Sequence, residues 1–182
     1  MLTGHFATAL VPYARDRKLP LFTLLLVSQV QDFLIPVDVL ASGQRSLARL
    51  EMHYSHDLLP VLVIAGLVGL GLHLWFRSRK VTLIGIGLVL FHEVCDLLSG
   101  FAHNVNGPDS PRLGFDFYRS APAMAFAIEL ALAVACLGYF VLERRRQGDP
   151  VPPGKTAVLC AVILVPIVAM LAVALRGRTL FQ

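Results

Sequence analysis

Charge is what this sequence has least of: Asp, Glu, Lys and Arg together make up 15% of its 182 residues, against 56% that are apolar. A soluble domain keeps its surface wetted and carries about 25% charged residues. The shortage, with a mean hydropathy of +0.69, excludes an ordinary soluble enzyme and a disordered tail. Cysteine is also scarce. Cys95, Cys136 and Cys160 each fall inside an apolar run, which excludes a secreted disulfide scaffold and reads as buried thiols. No Gly-x-Ser-x-Gly, His-Glu-x-x-His or Cys-x-x-Cys occurs, so none of those ready-made catalytic or metal signatures is available. Lys and Arg outnumber Asp and Glu by 16 to 12, yet the basic residues stand in short groups beside apolar runs rather than along one face. They indicate membrane topology, and no nucleic-acid partner.

What the chain does have is long apolar runs, at 19–41, 58–76, 81–102, 121–142 and 156–175, each near the roughly 20 residues that cross a bilayer. The expected fold is all-α: a polytopic membrane bundle of about five helices forming a single integral-membrane domain over residues 1–182. Residues 1–14 are apolar but too short to cross, lack a basic n-region, and contain His5 and Pro12. They predict an interfacial or re-entrant half-helix, within an N-terminal segment 1–18, rather than a signal peptide. A four-helix functional core follows over 19–142. The Pro- and Gly-rich linker 147–154 then sets apart an additional scaffold helix over 156–176. Gly66, Gly69 and Gly71 in the second span, and Gly85 and Gly87 in the third, read as positions of close helix packing.

With the N-terminus inside, the cytoplasmic side receives Arg15, Arg17, Lys18, Arg77, Arg79, Lys80, Arg144, Arg145, Arg146 and Lys155. The outer side receives Arg45, Arg49, Arg112, Arg119, Arg176 and Arg178, a division of ten against six that favours N-in, C-out. Trp75 fits an interfacial anchor, and His73 an interfacial side chain. The outer connections 42–57 and 103–120 are the longer ones and are placed to shape or cover a site.

Polar side chains inside these spans need a reason, because a charge at a span centre costs about 2.5–3.5 kcal/mol on insertion scales. Gln29, Gln31 and Asp32 interrupt the first span, with Asp38 just beyond Pro36; His92, Glu93 and Asp96 lie in the third and Glu129 in the fourth. His92, Asp96, Ser99 and His103, at i, i+4, i+7 and i+11, form one polar stripe on an apolar helix. The pair His92 and Asp96 suits either two ligands to one metal or a carboxylate that orients an imidazole. Alternatively it is a hydrogen bond that packs two helices. Glu93 faces elsewhere, toward a helix-pairing partner. At the mouth of the second span, His53 and His56 share a face at i, i+3, with Asp57 placed to orient one of them. Together with Asp38, and with His5 if the N-terminal segment folds inward, five of the six histidines are expected at one depth. Such a mixed nitrogen and oxygen set suits zinc, manganese or iron rather than calcium.

Gly4-His5, an Asp in the first span, the His53-x-x-His56-Asp57 cluster and His92-x-x-x-Asp96 together resemble the bacterial inner-membrane metal-dependent hydrolases of the YdjM-like group. The likeness covers about residues 1–142. It implies a bacterial inner-membrane location and metal ligation by His5, Asp32, His56, His92 and Asp96, with His53 and His103 as extra candidates. The spacing of His92, Asp96 and His103 is also similar to that of the zinc-dependent phospholipase C class. The expected activity is hydrolysis of a lipid-linked or membrane-partitioned ester, foremost a phosphoester. One or two divalent ions would serve, zinc first and manganese or iron next, with Asp96 and Glu129 as catalytic carboxylates and Arg112 and Arg119 on an anionic head group. The alternatives are a proton or metal pathway built from the same residues, and a non-catalytic membrane subunit.

Overall fold

The computed structural model describes residues 4–43 and 52–176. Arg45, Arg49 and Arg178, part of the 42–57 connection and residues 1–3 lie outside the described residues. The helices are α1 (Gly4–Arg15), α2 (Leu21–Val27), α3 (Val30–Ser42), α4 (Leu58–Phe76), α5 (Arg79–Ser99), α6 (Phe117–Ser120), α7 (Pro122–Arg146) and α8 (Pro153–Leu175). A two-residue hairpin of β1 (His103–Asn104) and β2 (Arg112–Leu113) lies between α5 and α6. Five helical segments are long and apolar enough to cross a membrane, with α2 and α3 together forming the first. The protein is an all-α membrane bundle.

α4 shows why these runs are helices in lipid. Val61, Ala65, Gly69 and Leu72 are buried, at intervals that make one helical face, whereas Leu62, Val63, Leu67, Leu70 and Leu74 are exposed. Apolar side chains on every face suit lipid, not water. The helix stops at Arg77, whose left-handed φ of 49° caps it. α5 restarts immediately because Ser78 Oγ accepts the Val81 N–H. The resulting antiparallel pair is held close by small residues: a methyl at Gly69 would stand 2.6 Å from Ile86 Cδ1, and one at Gly85 would collide with Leu72 Cδ1. Gly66, Gly71 and Gly87 meet nothing within 4 Å, so only two of the five small positions serve this contact. Gly85→Val is expected to destabilise the protein by about 1–3 kcal/mol through overpacking. Thermal unfolding in detergent should show the loss, while Gly87→Val leaves the midpoint unchanged.

The N-terminal half-helix, expected as interfacial or re-entrant, packs into the bundle. α1 lies along α7, with Ala7, Leu10 and Ala14 buried against Ala133, Leu137 and Phe140. It runs parallel to α7, from Gly4 beside Glu129 to Arg15 beside Tyr139. Asp16 then pairs with Lys80, while Arg17 and Arg144 both meet Asp149. The basic end of the bundle is therefore one physical face, clasped by two aspartates. α8 packs on α7 through Ile163 and Ile167, with Val158, Val162 and Val165 exposed.

Two departures from expectation bear on the site. The third span ends at Ser99 because Gly100 leaves helical geometry, with φ −94° and ψ −138°, so His103 lies on β1 rather than on a helical stripe. The first span breaks at Ser28 and Gln29, between α2 and α3, while Pro36 sits inside α3 without ending it.

Candidate metal centre

The break in the first span is the key to the site. An uninterrupted helix would use the Ser28 carbonyl for its own ladder. Here His92 Nδ1 donates to that oxygen at 2.8 Å. A donating Nδ1 sets the tautomer and leaves Nε2 with its lone pair, the arrangement metal-binding histidines use. Gln29, beside the break, turns its amide to donate to Asp32 Oδ2 at 2.8 Å and to accept the Phe6 N–H at 3.0 Å. One local irregularity thus orients an imidazole from α5 and a carboxylate from α3.

His56 enters from the turn before α4, where its Nδ1 meets Ser55 Oγ at 2.6 Å, so its Nε2 also faces inward. That atom lies 3.5 Å from Asp32 Oδ1 and 3.5 Å from Asp96 Oδ2. His92 Nε2 lies 3.8 Å and 3.4 Å from the same two oxygens. All four ligand atoms lie within 4.8 Å of one another, so Asp32, His56, His92 and Asp96 can hold a metal ion. The spacing has a physical reference: four ligands bound tetrahedrally at 2.0–2.1 Å stand about 3.3 Å apart. His92 Nε2 is buried and makes no hydrogen bond, an expense the fold does not normally leave uncompensated. The donor set and its spacing therefore fit a divalent ion.

Around this quartet the other expected residues separate. His5, fully buried on α1, packs its ring at a tilt against that of His92, with centroids 3.6 Å apart. Its Nε2 is 3.9 Å from Asp96 Oδ1, and neither of its ring nitrogens is hydrogen-bonded. His103 reaches the centre by stacking on His56 at 5.1 Å. Burial, and then the neighbouring His56, pushes the His103 imidazole down to about 3, so it is neutral at working pH. His53 departs from the group. The segment around it is a turn rather than a helix, so the i, i+3 spacing does not align it with His56. Instead His53 Nδ1 lies 3.0 Å from Asp57 Oδ2. Asp57 also accepts the backbone N–H of Asn104 at 3.1 Å and of Gly107 at 2.6 Å, tying the 103–116 connection to the start of α4.

Glu129, expected as general base, is committed elsewhere. Its Oε1 accepts the Gly4 N–H at 3.0 Å and its Oε2 the Tyr118 O–H at 3.2 Å, so it holds α1, and with it His5, in place. Glu93 finds a helix partner in Gln31, whose amide donates to it at 3.0 Å. Asp38 receives the Tyr54 N–H at 2.7 Å and anchors the turn that carries His56. Arg112 and Arg119 both line a cavity of about 250 Å3, together with His53, His103 and Asn104. Sequence reasoning missed Ser28, Ser55 and Tyr118, whose roles are contacts with distant or non-helical partners. Gln29 was visible as an intramembrane polar residue, but its orienting task was not. Compared with known families, curated proteins and solved structures, the chain matches none.

Proposed function

We propose that this chain is a metal-dependent hydrolase embedded in the membrane, acting on a lipid-linked or membrane-partitioned ester, foremost a phosphoester. The observation that carries the reading is the convergence of Asp32, His56, His92 and Asp96 from three separate parts of the chain onto one buried point. Zinc is the first candidate for the ion, given two nitrogen and two oxygen donors, with manganese or iron next. Such an ion, when bound, supplies Lewis acidity and lowers the pKa of water from about 16 toward roughly 7. Ser28 and Gln29 hold two of the ligands in orientation. Arg112 and Arg119, lining the adjoining cavity, favour an anionic substrate.

Depth and charge support the location we propose. His92 stands about 20 Å along α5 from Arg79, at 1.5 Å per residue, and Arg79 adjoins the clasped basic end. Under the positive-inside rule that end is cytoplasmic, which puts the centre in the outer half of what we take to be the bacterial inner membrane. A conduction pathway needs polar continuity, but toward the basic end α4 and α5 bury Gly69, Leu72, Gly85 and Leu88. The test is turnover by detergent-purified protein on a panel of lipid and soluble phosphoesters. Chelation should abolish hydrolysis and zinc or manganese should restore it. Metal-replete protein without turnover, but with ion flux in proteoliposomes, would replace this reading with the transport one.

A further inference from the structure

The cavity beside the centre carries chemistry that a metal site alone does not require. Its wall presents two guanidinium groups. Arg112 is held by the Ala102 carbonyl at 3.2 Å and pairs with no carboxylate among the described residues. Arg119 lies over the Phe101 ring, with Asp116 at 3.7 Å. Asp57, the carboxylate on that wall, accepts two backbone N–H groups and meets His53. Asp116 is the partner of Arg119, which leaves Arg112 as the cation of the wall that an anion would balance.

The same wall also holds two buried polar atoms with no hydrogen-bond partner, Asn104 Oδ1 and His103 Nε2. Asn104 Oδ1 only accepts, and phosphate oxygens at neutral pH largely accept too, so an anion alone does not satisfy it. The volume of about 250 Å3 falls below the roughly 300–1,000 Å3 of pockets that engulf a drug-sized molecule. It has room for a small head and leaves the remainder of the substrate outside.

From these features, and resting on the hydrolase reading for what the ligand is, we infer that the cavity is the subsite for the substrate's polar head. That head is a small phosphate ester bearing a hydroxyl or ammonium group. Its phosphate lies against Arg112 and Arg119, and its substituent donates to Asn104 Oδ1. His103, which joins the cavity wall and stacks on His56, is the point where head and metal centre meet.

The test is calorimetric titration of the full chain, in non-ionic detergent, with sn-glycerol 3-phosphate, inorganic phosphate and glycerol. The wild type is expected to bind glycerol phosphate at least about tenfold more tightly than inorganic phosphate, the scale of one well-made buried hydrogen bond, and glycerol not measurably. Arg112→Gln and Arg119→Gln should weaken both phosphates, and Asn104→Leu should erase the preference between them. Equal affinity for the two phosphates in the wild type, which needs no variant, overturns the inference, as does binding indifferent to both arginine replacements. Repeating the titration in bilayer discs names the source. Competition by phosphatidylglycerol, absent with phosphatidylcholine, indicates a lipid head, and no competition a soluble ester. His92→Ala separates the two readings: head binding that persists in metal-free protein supports the subsite even if hydrolysis fails. Metal-dependent turnover without the preference sinks the subsite alone.

Discussion

Replacing His92 and Asp96 together by alanine is expected to strip the protein of bound metal while leaving the bundle assembled. Each residue supplies one of the four converging ligand atoms, and Asp96 stands between His56 and His92 on one side and His5 on the other. Loss of an outer partner alone costs about 10–100-fold in metal affinity, so loss of two ligands should exceed that range. The helix itself survives because its packing lies elsewhere, in Val81, Gly85, Leu88 and Val89 against α4 and α2. Metal content by mass spectrometry on monodisperse protein reads the result directly: one or two equivalents in the wild type and none in the variant. Stability supplies a second readout. Zinc at about a thousandfold over its dissociation constant stabilises a one-site protein by roughly 4 kcal/mol, so the wild type should melt higher with zinc and the variant should not respond. Equal metal in both proteins would place the ion outside this quartet.

The second large effect is expected at Asp57→Ala, and it separates scaffold from centre. The carboxylate accepts from Asn104 N and Gly107 N and meets His53, so its removal leaves two backbone donors without their acceptor. Each such group costs about 1–3 kcal/mol when buried, enough to open the 103–116 connection locally. Amide exchange at Asn104 and Gly107 should accelerate by at least about tenfold, equivalent to 1.4 kcal/mol. Under the proposed function, hydrolysis should fall with it, since His103 and Arg112 ride on that connection and Arg119 follows it on α6. Metal content should stay at the wild-type level. Metal loss together with the opened connection would mean that His56, next to Asp57 in sequence, depends on it for its position.

Much of this molecule was legible from local pattern. A span's length and apolarity are properties of consecutive residues, so the five crossing segments emerged within a few positions of their observed ends. His92 and Asp96 share a helix, and 100° per residue puts them on one face whatever surrounds them. The basic clusters were readable for the same reason, although Asp16 and Asp149, which clasp them, were not. Helical arithmetic misplaced His103 and paired His53 with His56, because it assumed a helix where Gly100 ends one and where residues 52–57 turn.

By itself, then, the sequence determined a membrane bundle with an intramembrane His and Asp stripe on its third span, since lipid solubility and helical phase require no partner. The tertiary structure alone decided which side chains meet that stripe. The break at Ser28 and Gln29, the entry of His56 from a turn and the seating of α1 through Glu129 each depend on hydrogen bonds between residues far apart in the chain. Glu129 shows the physical reason most plainly. A buried carboxylate must find donors, its own apolar helix offers none, and only the folded arrangement supplies the Gly4 N–H and the Tyr118 hydroxyl that turn an expected base into the anchor of the N-terminal helix.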